Sequence, residues 1–265
     1  MIMGADVTHP KAGDDGCPSM AGVVATVDQQ KIHYLASARL QDSNTEYIAN
    51  LEDMVVDRLK DYFSFSGSAP GHIMFYRDGV SESQYGMVHD EELPQIKAAC
   101  ERFKPIWMEW DPGNNVIETW NPLITVLVVG KRHHTRFYPE ISKLHNDINC
   151  PAGLVVDKEI VNPNRTSFYL QNHHSPLGTA RSSHYVIIKN ESKYTVEELQ
   201  EITNKICHTG SRATVALSVC TPALYADILC NRLRCYMYPA SNGGIRIPTG
   251  DSAARLLAFD VLSLG

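Results

Sequence analysis

Apolar positions along the chain follow two periods, one alternating or unbroken and one of three to four residues, interleaved as in an α/β sheet protein. Runs rich in β-branched residues at Ala21–Val27, His72–Tyr76, Leu123–Val129, Gly153–Val156 and His184–Lys189 predict strands. The apolar stretch that opens the chain and ends at Asp6 predicts another. Ile48, Leu51, Val55, Leu59 and Tyr62 predict a first helix, capped by Asp42, Ser43 or Asn44, with Glu46 at or just before its first turn. A second helix starts at the capping box Thr195-x-x-Glu198, carries Leu199, Ile202 and Ile206, and stops at Gly210. A third follows Thr221-Pro222 and runs from Ala223 to about Cys235, with proline at its first position. Stretches 12–19, 110–121, 162–166 and the segment from 241 lack a period and predict loops. No internal repeat interrupts the pattern, so one compact domain is expected.

Composition sharpens this. With 265 residues, 43% hydrophobic and 20% charged, the chain can bury a sizeable core, which excludes a disordered tail or a disulfide mini-protein. The longest apolar run, Leu123–Val129, is far short of the roughly 20 residues of a membrane span. Met1-Ile2-Met3 has neither the basic nor the apolar region of a signal peptide, so a soluble intracellular chain with no membrane partner is expected. The 7 cysteines are odd in number and form no Cys-x-x-Cys, and they read as reduced thiols. The net charge of −6, from 24 Lys+Arg against 30 Asp+Glu, argues against a nucleic-acid partner until the placement of each sign is considered.

Gly4-Ala5-Asp6-Val7-Thr8-His9-Pro10 puts a carboxylate where a strand gives way to a loop, and Phe75-Tyr76-Arg77-Asp78-Gly79-Val80 repeats the device. A single such aspartate serves an ordinary turn. Two strands each ending in one point to shared divalent metals, because sites in open α/β sheets lie beyond the carboxyl ends of strands. Asp227 lies among apolar neighbours on the third helix. It is a solvated helix carboxylate unless that helix crosses the strand ends, where it would complete an oxygen-ligand set suited to Mg²⁺ or Mn²⁺. Lys131-Arg132-His133-His134-Thr135-Arg136 follows a strand and concentrates positive charge, and Arg181, Arg212, Arg232 and Arg234 add to it in the same half of the chain. A basic groove for an RNA backbone can thus coexist with a net negative charge.

These three motifs occur together and in order, and with them the chain resembles the PIWI domain of eukaryotic Argonaute proteins. The resemblance continues through Pro151-Ala152-Gly153, Gly178-Thr179-Ala180-Arg181, Ser183-His184-Tyr185, Cys207-His208-Thr209 and Pro222-Ala223-Leu224-Tyr225-Ala226, covering roughly residues 2–240. It implies an α/β, RNase H-like mixed sheet flanked by helices. It also implies a small-RNA-guided endonuclease that cuts target RNA by two-metal phosphodiester hydrolysis in gene silencing. The family's catalytic positions fall on Asp6, Glu46, Asp78 and Asp227, with Asp6, Asp78 and Asp227 as ligands of two Mg²⁺ or Mn²⁺ ions and Glu46 as the glutamate finger. Lys131, Arg132, His134 and Arg136 match the basic motif that touches the guide. Arg212 and Ser218 match guide-backbone contacts, and Arg232 matches an arginine that reaches toward the guide's 5′ phosphate. His184 is read as structural, and Leu224 stands where the family often has a guide-contacting tyrosine.

The implied partners are a 5′-phosphorylated small guide RNA, its complementary target RNA and silencing-complex proteins, in the cytoplasm or alternatively the nucleus. The resemblance also implies a partial chain: residues 1–240 are expected to be a PIWI domain without its usual N-terminal part or the N, PAZ and MID domains. Residues 241–265 are an unassigned tail. The stretch Arg102–Asn121, with Trp107, Trp110 and Trp120, is read as a loop that either packs on the domain surface or binds a partner. Two rival functions remain at this point: a scaffold that holds guide and target without cutting, and a guide-free nuclease, against which the Lys131–Arg136 motif and the position of Glu46 speak.

Overall fold

The structure, a computed structural model, describes residues 1–10, 18–43, 45–140, 149–175 and 177–237. The chain forms strands β1 (Ile2–Thr8), β2 (Ser19–Thr26) and β3 (Tyr34–Gln41), then helix α1 (Leu51–Ser66) and β4 (His72–Asp78). A 3-10 turn (Glu82–Gln84), the single turn α2 (Tyr85–Met87) and a π-helical turn (Val88–Glu92) lead into α3 (Leu93–Trp110) and the short α4 (Val116–Thr119). There follow β5 (Leu123–Gly130), β6 (Leu154–Val156), β7 (Ser167–Gln171), β8 (Ser183–Asn190), α5 (Val196–Ile206) and α6 (Thr221–Met237). The strands make one mixed eight-stranded sheet in the order β3-β2-β1-β4-β5-β8-β7-β6. β1, β4 and β5 are parallel at its centre, and the flanking pairs are antiparallel.

Strand alternation sends successive side chains to opposite faces. Met3 and Ala5 of β1 and Ile73 and Phe75 of β4 pack with α1 and α3 on one face. Ile2, Met74 and Tyr76, joined by Leu127 and Val129 of β5, pack against α5 and the start of α6 on the other. Farther along, α6 lays Tyr225, Ala226 and Leu229 on Met20, Val24 and Tyr34. The same parity puts Asp6 and Asp78 on the α6 face and Arg77 on the α1–α3 face, which decides how the site is built.

Several expectations need correction. The first helix has Asn50 at its N-cap position rather than Asp42 or Ser43, Asn44 lying outside the described residues, and Ile48 precedes it. The Gln41 side chain holds the intervening chain out of helix: its Nε2 donates to the Thr45 and Tyr47 carbonyls, and its Oε1 accepts from the Ala49 amide. Glu46 therefore sits in the β3–α1 connection, ahead of the first turn. The capping box of α5 forms as expected, Thr195 Oγ1 accepting from the Glu198 amide and the Glu198 carboxylate from the Thr195 amide. That helix ends at Ile206 instead of Gly210, because the Ile206 carbonyl is taken by the Thr209 and Thr221 hydroxyls. β3 and β7 lay outside the predicted strands.

The Trp-rich stretch is the largest correction. It begins inside α3, and Trp107 and Trp120 are buried in the core, T-shaped to each other at 5.8 Å and packed on Phe103. Burial of this aromatic cluster outweighs the helix-breaking tendency of Pro105. Only Trp110 of the three is well exposed, at 45%. Cys100, Cys150, Cys207, Cys220 and Cys230 are free thiols. Among the described residues no helix is long and apolar enough to cross a membrane. The tail 241–265 and most of the predicted loop 12–19 lie outside the described residues.

Candidate active site

β1 and β4 pair in parallel with Ala5 opposite Arg77, so Asp6 and Asp78, one residue on, stand side by side where that pairing ends, Asp6 still paired with Gly22 of β2 and Asp78 with Val129 of β5. A third group comes from α6, and absent side chains let it approach. A Cβ on Gly4 would lie 2.1 Å from the Pro222 carbonyl oxygen, and one on Gly22 2.9 Å from Cys230 Sγ, so the helix rests directly on β1 and β2. The Cys230 thiol donates to the Asp6 carbonyl at 3.4 Å. About one turn before it stands Asp227, whose Oδ1 accepts from Asn231 Nδ2 at 2.9 Å. Gly79, at φ 80°, turns the chain sharply after β4; its amide donates to Asp78 Oδ1 at 2.7 Å, and a Cβ there would lie 2.7 Å from Asp6 Oδ1.

The three carboxylates share one field. Burial raises the Asp6 carboxyl above its usual range, Arg77 pulls it back, and Asp227 pushes it up again. Asp78 is pushed up to about 7, first by burial and then by Asp6, with Asp227 adding to the repulsion. Arg77, a buried cation nearby at 2% exposed, is already committed to Glu92, which is fully buried. A cluster of carboxylates that repel one another is a setting in which a divalent cation could bind. Among the described residues no three His, Cys, Asp or Glu side chains are gathered tightly enough to cage a metal by themselves. Asp6, Asp78 and Asp227 are the groups that could hold a divalent cation there, with water and phosphate oxygens filling the rest of its shell.

Glu46 is exposed, and its carboxylate lies 3.4 Å from His9 Nε2, while His9 Nδ1 bonds the Ser19 hydroxyl. The Glu46 backbone carbonyl accepts from Arg77 Nη2 at 3.0 Å. Glu46 is thus tied to the site by its main chain, with its carboxylate turned to His9.

Of the basic residues, Lys131 and Arg132 come closest in effect. Asp78 pairs with Val129 across β4 and β5, and Lys131, two residues on, emerges on the same face. Its ammonium donates to Ser218 Oγ and is lowered from its usual pKa by burial and by Arg181, with Asp78 opposing. Exposed Arg132 bears on Asp6. Ser218 is anchored in turn, its carbonyl accepting from Ser183 Oγ. Arg136 Nη1 donates to the His133 and Thr135 carbonyls, stapling its own loop, and His134 is exposed beside His133. Arg212 is exposed in the α5–α6 connection, and Arg232 is half-buried on α6, five residues beyond Asp227. His184 stacks on Tyr169 at 4.3 Å, and burial pulls it down to about 4, which keeps the ring neutral, in line with a structural role. Sequence reasoning missed Arg77 and Glu92. A charged residue inside the apolar run 72–78 was the available signal for the first, whereas Glu92 sits in an acidic run that gives none.

A mixed sheet with carboxylates at the ends of adjacent central parallel strands, and a helix laid across them, defines an RNase H-like fold of the PIWI type. The Piwi domain family model matches residues 1–238, and the chain belongs to that family. It is 38% identical over 255 residues to protein argonaute 7 of Arabidopsis thaliana, which covers 95% of this chain and 24% of the relative. To protein argonaute 5 of the same plant it is 36% identical over 263 residues, 92% of this chain and 25% of the relative. The chain thus spans about a quarter of the length of these curated relatives. The C-terminal lobe of a budding yeast Argonaute matches with a TM-score of 0.80 at 30% identity, over 89% of this chain and 47% of that one. Kluyveromyces polysporus Argonaute with a guide RNA matches with a TM-score of 0.80 at 31% identity, over 89% and 28%.

Proposed function

We propose that this chain is the nuclease part of an Argonaute that cuts a target RNA paired to a 5′-phosphorylated small guide, in post-transcriptional gene silencing. The observation that carries the reading is the convergence of Asp6, Asp78 and Asp227 from β1, β4 and α6, with burial and mutual repulsion raising the carboxyls of Asp6 and Asp78. Asp6, Asp78 and Asp227 would hold two Mg²⁺ or Mn²⁺ ions, whose chemistry is to activate a water and stabilise the leaving oxygen of an in-line phosphodiester displacement. The protein's own groups do the rest. Gly79 fixes one Asp78 oxygen, α6 brings Asp227 into the field of Asp6 and Asp78, and Arg77 tempers the charge on Asp6. Lys131 and Arg132 extend positive charge from the carboxylates toward the surface, where they would grip the phosphates beside the cut, with His134, Arg136, Arg212, Ser218 and Arg232 as further guide contacts. Base pairing with the guide would supply sequence choice, and the protein would read the A-form backbone by shape and charge. Glu46 would swing from His9 to join the aspartates.

A binding-only scaffold is the second reading, and it draws on one feature: the Glu46 carboxylate is engaged by His9 rather than by the aspartates. The test places the chain behind the N-terminal remainder of a relative such as protein argonaute 7, loads a 5′-phosphorylated guide, and follows labelled complementary RNA in Mg²⁺. The nuclease reading expects one cut at a fixed distance from the guide's 5′ end, lost on a scrambled target. Tight guide and target binding with no cut supports the scaffold, and cutting without a guide overturns both.

A further inference from the structure

About one turn beyond Asp227, α6 is fixed to the sheet. The Cys230 thiol donates to two main-chain carbonyls, of Asp6 at 3.4 Å and of Met20 at 3.8 Å, and the absence of a side chain at Gly22 leaves it room to do so. The helix that carries Asp227 is thereby tied to the main chain of Asp6. Asn231 is the next residue on that anchored turn. Its Nδ2 donates to Asp227 Oδ1 at 2.9 Å, a bond between residues 4 apart on one helix. The nitrogen of the amide, rather than its oxygen, must face the carboxylate, because two acceptors would repel. The two contacts act in series: Cys230 sets where the helix lies on β1 and β2, and Asn231 sets which way the Asp227 carboxylate turns.

A side-chain hydrogen bond at this spacing adds little to a helix, and asparagine is among its weaker formers, so the fold gains little from the pair. Direction is what it supplies. A half-buried aspartate on a helix has more than one rotamer open to it, and a metal ligand held in one orientation by an outer partner binds more tightly than one that must first be ordered. The donor is also neutral. A lysine or arginine at the same place would pair with Asp227 too, but would cancel the negative charge that a cation needs. We infer that Asn231 is a positioning residue for Asp227, holding its carboxylate ready for a divalent cation without neutralising it. This inference rests on the nuclease reading for the role of Asp227 as a ligand, and adds to it a residue that acts through Asp227.

Two variants of the 265-residue chain test it by Mn²⁺ titration, with free Mn²⁺ followed by electron paramagnetic resonance and Asp227→Ala as the reference for uptake elsewhere. Asn231→Leu keeps the size of the side chain and loses the donor; leucine is the better helix former, so α6 is not weakened. Asn231→Gln keeps a neutral donor at a spacing where glutamine also pairs with aspartate. The leucine variant should bind Mn²⁺ about tenfold more weakly, as for other outer partners of metal ligands, and the glutamine variant should recover most of that loss. In the loaded chimera, Asn231→Leu should raise the Mg²⁺ concentration at half the maximal cleavage rate by about the same factor, with target affinity unchanged. A merely structural role would instead shift the melting temperature and leave Mn²⁺ affinity alone. Wild-type Mn²⁺ affinity in the leucine variant overturns the inference, as does a glutamine variant that binds no better than the leucine one. If the wild-type chain binds Mn²⁺ no more tightly than Asp227→Ala, the assignment of Asp227 as a ligand fails, and that failure shows before any change at Asn231 is measured.

Discussion

Replacing Asp78 by asparagine should stabilise the metal-free chain, and more so at pH 8 than at pH 4.5. Burial and the neighbouring carboxylates move the Asp78 carboxyl from 3.8 to about 7. A difference of about 3 units corresponds to ~4 kcal/mol at ~1.36 kcal/mol per unit, and partial access to water brings the expected effect to about 2 kcal/mol. The sign follows from proton binding. Between about pH 4 and 7 the folded chain holds a proton that the unfolded chain releases, so wild-type stability is full below the unfolded value and falls as pH rises toward 7. Asparagine removes the charge, and its carbonyl can still accept from the Gly79 amide. Calorimetric melts in EDTA should show the variant melting about 4–8 °C above wild type at pH 8, with the gap reduced to about a quarter of that at pH 4.5. A variant that melts no higher than wild type at pH 8, or a gap that does not change with pH, would refute the electrostatic account.

Gly4→Ala should cost about 3 kcal/mol in urea denaturation, because its methyl would collide with the Pro222 backbone and lift α6 from β1; a loss under ~0.5 kcal/mol would mean that the helix yields freely. Trp107→Ala should cost ~3–5 kcal/mol, whereas Trp110→Ala, at the exposed rim, should cost about 1 kcal/mol or less. Equal effects would remove the distinction between a core and a surface tryptophan. Lys131→Met should weaken binding of a labelled 5′-phosphorylated guide RNA by the unloaded chimera and lower the salt dependence of that binding by about one ion. An unchanged slope would take Lys131 out of the phosphate grip.

The α/β class and the helix carrying Asp227 were legible because their signals are local: β-branched runs, a capping box, a proline at a helix start. What escaped was set by distant partners. β3 reads weakly, since Tyr34–Gln41 is poor in β-branched residues, and its pairing with β2 makes it a strand. The cap of α1 moved to Asn50 because the Gln41 side chain holds the preceding segment, a contact that no periodicity reports. The Trp-rich stretch 102–121 reads as a loop, and the aromatic core makes its first part the end of α3. At the site, two aspartates were visible as strand ends. The approach of α6 through Gly4 and Gly22, and the Arg77–Glu92 pair beneath, depend on tertiary contact.

The most direct test of the central claim is the single-turnover cleavage rate of the guide-loaded chimera in Mg²⁺ with Asp6, Asp78 or Asp227 changed to alanine, each beside its measured target affinity. If the three carboxylates act as one centre, each change abolishes the cut and leaves guide and target bound. A variant that binds and still cuts at the wild-type rate would contradict it.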